Sequence, residues 1–433
     1  MKNAIHDFLK SEKAVNPKSL AYWGHFRIKF HYSYLKYLGL LEETSFSTSK
    51  LTLKCKISYL CNSLLKLNLI SLFSCRKDNL IFSHPRAPKG CDLNTKELQE
   101  KLKGTAYVAS HSEKFSFQGN TVDSYTDVVR FVAKLSAYVL RPFFFYRAKG
   151  VTKVFDLLEL SDSEKNKMSK LYVINTIEFD ILYRFYRLWF STSKFKRIYV
   201  VTSYYNVPLV LAAKKLGIDT VEIQHGVISK YHVGYNCFID NCSIFFPDSV
   251  YFWGEFWIEN CNLPEKVNKK IYGTGIFDSV SVKFEKKKNT IVFISQTSIS
   301  SLLSNFILNS APHLSEFTVY VKLHPGEFYR KDFYNTMYHC FPNIQVVSCE
   351  YTLEELLQFC EYQVGAYSTG IYQGISYECK TVLIKSPGIY YMECLYDQPY
   401  VKVTDGMLDS STLQDLERPT CSAGYFFSQI ERN

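Results

Sequence analysis

The sequence predicts an α/β protein built from two doubly wound domains with parallel sheets, preceded by a helical, basic region. Three observations lead there. The chain is 433 residues long, enough for two or three domains. Its second half alternates short β-branched runs with amphipathic stretches. Polar and glycine-containing clusters fall where the strands should end, on the edge that faces ligand in such sheets.

Composition narrows the class. Hydrophobic residues make up 47% and aromatics 16%, with 33 Tyr and 33 Phe, which excludes global disorder. The formal charge of +10 favours anionic partners such as phosphorylated substrates or phospholipid. The 13 cysteines include no Cys-x-x-Cys pair; Cys55 with Cys61, and Cys237 with Cys242, are too widely spaced for a zinc knuckle. The polar start MKNAIHDFLKSEK has no signal-peptide core, so a reducing cytoplasm is expected. No apolar run reaches the ~20 residues of a spanning helix. Arg141 to Arg147 (RPFFFYR) is too short, and Leu171 to Phe190 carries four charges and reads as an ordinary buried helix. Aromatic and basic segments of this kind suit a membrane surface, so attachment to the inner face of the membrane stays open.

Along the chain, roughly the first 100 residues read as helical and basic, with a loop-like stretch from Ser83 to Lys103. Arg197 to Ser203 and Thr220 to Ile223 read as strands around a helix from Pro208 to Leu216, which Gly217 stops. Residues 248–277 read as strand, helix and strand, ending in the link Gly273 to Asp278. Beyond it the expected strands are Thr290–Ser295, Thr318–Leu323, Ile344–Val347, Tyr362–Gly365 and Thr381–Ile384. The expected helices are Ser300–Leu308, Arg330–Phe341, Leu353–Cys360 and Gly370–Cys379. Domain bounds follow: 1–270 with its basic helical part to about 110, 271–400, and a tail 401–433 that packs back on the first domain.

Four clusters at strand ends carry the chemistry. Gln224, His225 and Gly226 follow TVEI; His225 is the first general-base candidate, because an imidazole titrates near neutral pH. Glu222 and His232 are its rivals, with Lys230 and Tyr231 placed to position an anion. In Lys322-Leu323-His324-Pro325, the proline holds His324 extended at the strand end, where it and Lys322 suit phosphate oxygens. Ser368, Thr369 and Gly370 open a helix whose N–H groups and two hydroxyls form a phosphate cradle. Glu378, near the end of that helix, suits the hydroxyls of a ribose. Each cluster has a plainer reading: a polar interdomain loop, a surface histidine, a helix N-cap, a solvated glutamate.

The ordered set QHG, YGTGIFD, KLHPGE, YSTG and Glu378 resembles the GT-B glycosyltransferases over roughly residues 196–400. More narrowly it resembles bacterial transferases for capsule and lipopolysaccharide. The K-x-H-P and Ser-Thr motifs are similar to those of sialyl- and Kdo-transferases and of teichoic-acid-type polymerases. The resemblance implies two Rossmann-like domains facing across a cleft, with the nucleotide sugar held by the second. It implies donor contacts from His324, Ser368, Thr369, Gly370 and Glu378; Gln224, Gly226 and Lys230 are read as positioning residues from their place on the loop after TVEI. An Asp/Glu-Asp/Glu-Gly base motif is missing and QHG stands in its place. No Asp-x-Asp adjoins a strand end, so neither an obligatory metal nor a cofactor is expected. The donor is a nucleotide sugar, CMP- or UDP-linked, and the acceptor a saccharide or a lipid-linked one. Three other readings stay open: a UDP-sugar 2-epimerase, a polyol-phosphate transferase, and a nucleic-acid-binding protein. The last lacks any RRM, KH or zinc signature, and nucleic acid is not an expected partner.

Overall fold

A computed structural model describes residues 2–40, 64, 67, 69–83, 92, 94–110, 123–275, 285–420 and 424–430. Cys55, Cys61 and the link residues Ile276, Phe277 and Asp278 lie outside the described residues. The chain divides into two compact units. One comprises 1–225, 233–252 and 262–271; the other comprises 226–232, 253–261 and 272–433.

The first unit holds a seven-stranded sheet: β1 (Asn79–Ser83), β2 (Ala106–Ser110), β3 (Ser124–Tyr125), β4 (Arg197–Val201), β5 (Asp219–Ile223), β6 (Ser249–Phe252) and β7 (Asn268–Ile271). Every pairing is parallel, in the order 3-2-1-4-5-6-7. That order reverses direction between β1 and β4, the point where doubly wound sheets open a crevice at their carboxyl ends. The second unit repeats the plan with β8 (Lys287–Ile294), β9 (Thr318–Lys322), β10 (Ile344–Val347), β11 (Cys360–Gly365), β12 (Lys380–Ile384) and β13 (Val401–Thr404). Its order is 10-9-8-11-12-13, again all parallel, with the reversal between β8 and β11. Both units are therefore Rossmann-like, as expected.

Five strands and four helices of the second unit coincide with those expected, within a few residues. The first residues of the expected tail instead form β13, on the sheet edge. The last described stretch bonds to 253–257 and 274: Ser428 N–H to Trp253 O (2.6 Å), Trp257 Nε1 to Phe426 O (2.6 Å), Thr274 N–H to Ser428 O (3.0 Å). Gly254 and Gly273 permit this approach, since a Cβ on either would lie 2.3 Å and 2.6 Å from the tail backbone.

The N-terminal stretch is helical at α1 (Lys2–Ser11) and α2 (Leu20–Tyr37). It is not helical throughout: β1 and β2 lie within the first 110 residues and are interior strands of the sheet. Three of the aromatic residues of α2 belong to the core, while Tyr32 and Tyr37 are exposed. Trp23, Phe26 and Phe30 are at most 1% exposed, packing against Phe8, Tyr172 and Phe155. Two further helices cover the sheet, α3 (Asp127–Leu140) and the long α4 (Asp162–Thr192). Helix α4 contains the stretch read as an ordinary buried helix, and residues 172–179 of it are buried. Among the described residues no helix is long and apolar enough to cross a membrane.

Candidate functional site

In the first unit, β5 ends at Ile223 and delivers Gln224, His225 and Gly226 to the carboxyl edge of the sheet. Side chains alternate along β5. Val221 and Ile223 pack with Ile81, Tyr199 and Val201, so Glu222 points to the opposite face. There its buried carboxylate accepts from Ser203 Oγ (2.5 Å), Ser203 N–H (3.2 Å) and Tyr235 OH (2.9 Å). The Ser203 contacts depend on a turn after β4 in which Thr202 adopts φ 58°. A β-branched residue rarely takes that conformation, and Asn206 holds it by donating to the carbonyls of Val201 (3.4 Å) and Thr202 (3.2 Å).

His225 is linked to this carboxylate through Tyr235. Its Nδ1 is 3.4 Å from Tyr235 OH, and its Nε2 is 3.3 Å from Tyr204 OH. Since Tyr235 donates to Glu222, its oxygen is left to accept from Nδ1–H, which leaves the Nε2 lone pair as the basic site. Glu222 thus acts through Tyr235 on the orientation of His225 and does not itself reach the sheet edge. Gln224 is wholly buried, its N–H donating to Tyr251 O (3.0 Å), so it is a backbone anchor for the turn.

Burial raises the Glu222 carboxyl to about 7, while hydrogen bonds from Ser203 and Tyr235 pull it down. A native carboxyl that binds protons more tightly than the unfolded chain stabilises the fold below the unfolded pKa of ~4.3. That contribution declines as pH rises towards 7 and is gone above it. Glu222→Gln should flatten this slope, an effect of roughly 3 kcal/mol across the window, read by urea denaturation at several pH values. An unchanged slope in the variant would assign the titration elsewhere.

The other loop residues go elsewhere. Residues 226–232 cluster with the second unit. Lys230 pairs with Glu393 (3.1 Å), which also accepts from Tyr231 OH, and Tyr231 packs edge-on against Tyr390 at 5.4 Å. Lys230 and Tyr231, read from the sequence as positioning an anion, here both contact the Glu393 carboxylate. His232, partly exposed, closes a turn by its N–H to Ser229 O (2.9 Å).

In the second unit, the register sets Ile294 beside Lys322 and Phe293 beside Val364, so the chain leaves β9, β8 and β11 at one edge. His324 is exposed there, and its Nδ1 accepts from Gly326 N–H (3.1 Å) and lies 2.9 Å from Thr297 Oγ1. An accepting Nδ1 places the ring proton on Nε2, which is then a donor. Pro325 opens the short helical turn that carries Gly326. Beneath it the buried Glu327 accepts from Ser295 Oγ (2.6 Å), Tyr334 OH (2.9 Å) and His324 N–H (3.3 Å). Across β8, Ser298 Oγ meets Tyr367 OH at 3.1 Å.

Ser368 caps the helix Thr369–Ser376 (α5), its Oγ accepting from Gly370 N–H (3.2 Å). Thr369 stands at the first turn beside it, partly exposed. The structure therefore brings His324, Thr297, Ser298, Ser368, Thr369 and Gly370 to the reversal point of the second sheet. Thr297, Ser298 and Glu327 carried no assignment in the sequence. The Thr-Ser pair three and four residues after a strand was the signal for the first two, and Glu327 three residues after a histidine before proline was the signal for the third.

Two expected donor contacts are not brought there. The Lys322 ammonium turns inward to the carbonyls of Ser348 and Tyr351 (2.7 Å to the latter), and its burial lowers the pKa. It holds the 348–351 loop instead of a phosphate. Glu378 follows the C-terminus of α5 and stands two positions before β12, so it lies at the amino edge of the sheet. A crossover helix runs antiparallel to its strands, and its eight residues carry the chain roughly 12 Å away. Glu378 also adopts φ 63° and pairs with Arg418. Among the described residues no group of three His, Cys, Asp or Glu side chains forms a metal-ligand set.

No family model matches the chain and no curated protein does. Solved structures of similar fold include Anabaena HepE in complex with UDP and glucose, at 10% identity and TM-score 0.41, covering 78% of this chain and 88% of that one. UDP-GlcNAc 2-epimerase from Methanocaldococcus jannaschii gives 10% identity and TM-score 0.45, covering 81% and 96%. Acinetobacter baumannii MurG gives 11% identity and TM-score 0.43, covering 76% and 85%. At these values the similarity carries no assignment of substrate or reaction.

Proposed function

We propose that the chain transfers a glycosyl group from a nucleotide-activated sugar to a hydroxyl acceptor, in the assembly of a bacterial surface polysaccharide. The observation that carries this is the gathering of donors at the reversal point of the second sheet. His324 Nε2–H, the hydroxyls of Ser368 and Thr369, and the amino end of α5 suit the phosphates of a nucleotide. Those groups would stabilise the charge left on the nucleotide as the bond to the anomeric carbon breaks. On the first unit, an acceptor hydroxyl would take the place of the Tyr204 phenol at His225 Nε2. The hydroxyl oxygen bonds to the anomeric carbon, its proton passes to Nε2, and the nucleotide departs with the electron pair.

A thermal-shift screen with CMP, UDP, GDP and CDP tests the donor site. A nucleotide at 100 times its Kd should add about 2.7 kcal/mol of stability. His324→Ala and Ser368→Ala should abolish the shift, and Glu378→Ala should keep it. CMP as the ligand points to a sialic acid or Kdo donor, and UDP to a hexose. Loss in Glu378→Ala with retention in the other two would overturn the site. An epimerised sugar formed without acceptor would replace transfer by 2-epimerisation, and polyol phosphate in the product by polyol-phosphate transfer.

A further inference from the structure

Helix α3 is amphipathic in the inverted sense. The side chains it turns to α4 are small, Ala133 and Ala137, both fully buried. Its large apolar residues, Phe131, Val132, Leu135, Tyr138 and Val139, form one exposed stripe. The helical turns Arg141–Gly150 extend it with Phe143 (75% exposed), Phe145 and Tyr146 (63% exposed). Exposed apolar stripes of this size mark interaction surfaces.

The charges on the segment have one sign. No Asp or Glu occurs between Asp127 and Asp156, whereas Arg130, Lys134, Arg141, Arg147, Lys149 and Lys153 do. Arg147 pairs with Asp180 and Arg130 donates to Asn206 Oδ1 (2.6 Å). Lys134, Lys149 and Lys153 are exposed and form no ion pair with a described residue.

We infer that residues 131–149 are a membrane-docking face that seats on anionic lipid, with aromatic rings among the acyl chains and the cations at the headgroups. Aromatic and apolar groups ringed by Lys and Arg fit that interface. A second copy of the chain fits badly, because a two-fold contact sets this face against itself, and the segment has no Asp or Glu between Asp127 and Asp156 to answer its cations. The face adjoins the candidate base: Arg130, next to Phe131, reaches the 203–206 turn that supplies Ser203 to Glu222 and Tyr204 to His225. A lipid-linked saccharide is the acceptor class this adjacency favours, and that step alone rests on His225 as the base.

The test is flotation of the full chain with phosphatidylcholine vesicles, with and without phosphatidylglycerol. Wild type should float with the anionic vesicles only, and less at high salt. The Lys134→Gln/Arg141→Gln/Lys149→Gln variant should lose on the order of a hundredfold in partitioning. Val139→Ser/Phe143→Ser should also detach, with Tm unchanged because both side chains are exposed. Equal binding to both vesicle types, or retention in either variant, overturns the proposal. No flotation of wild type, with a change of oligomeric state in Val139→Ser/Phe143→Ser, overturns it in favour of a second copy. Flotation is read without turnover, so its outcome is separate from that of the transferase reading.

Discussion

His225→Ala is expected to lower kcat for glycosyl transfer by a factor of roughly 10²–10⁴, the usual contribution of a positioned general base. Nucleotide-induced stabilisation should be unaffected, since the groups assigned to the nucleotide all lie on the second unit. That pairing of outcomes separates loss of the base from loss of the fold. The neighbouring variants should behave differently. Tyr235→Phe removes the hydroxyl that links Glu222 to Nδ1. It leaves the imidazole in place with its tautomer less strongly set, so the pH dependence of kcat should change as well as its magnitude. Tyr204→Phe removes the 3.3 Å contact at Nε2 and should affect KM for the acceptor more than kcat. Initial rates with the nucleotide sugar chosen by the thermal-shift screen provide the measurement. A His225→Ala rate within a few fold of wild type would remove His225 from the mechanism.

The second sheet was legible because its strands are short apolar runs bounded by turn residues, and periodicity reports that directly. Which edge a residue occupies was legible only where it lies within three residues of a strand's end, as His225, His324 and Ser368 do. Glu378 was misplaced because counting turns along a helix gives distance without direction, and a crossover helix returns its end to the opposite edge. Lys322 was misplaced because alternation and tertiary contacts, not its neighbour His324, decide where it points. The supporting residues were hidden for another reason. Thr297 lies 27 positions from His324, Tyr235 lies 13 from Glu222, and such pairs are set by the fold and not by local pattern. With 33 tyrosines, composition could not single out Tyr204 or Tyr235. The strands β1 and β2 were missed because they are five residues each in a region dominated by helical, lysine-rich sequence.

Breaking the Arg27–Glu12 pair is expected to have the largest effect on stability. Arg27, 1% exposed, donates from Nε and Nη2 to the wholly buried Glu12 at 2.6 Å and 2.7 Å. It also donates to Val233 O (2.6 Å) and Asn236 O (2.8 Å), and Trp23 Nε1 donates to Glu12 at 2.7 Å. Burial pulls the Arg27 pKa down, but the charge and hydrogen bond of Glu12 outweigh it and raise it, so the guanidinium stays charged. Replacing either partner alone leaves a buried charge uncompensated, at a cost of about 3–5 kcal/mol. Arg27→Met should therefore lower the Tm of the first unit by roughly 10 °C. The double variant Glu12→Met/Arg27→Met should recover most of that loss, because apolar side chains of similar volume can replace a buried pair. The two variants should nevertheless share a catalytic defect. Val233 and Asn236 bracket Tyr235, and without the guanidinium their carbonyls no longer fix the turn that holds the Tyr235 hydroxyl between Glu222 and His225. A double variant that regains stability without regaining kcat would show that Arg27 of α2 and Glu12 serve the base as well as the core. One that regains both would confine Arg27 and Glu12 to folding.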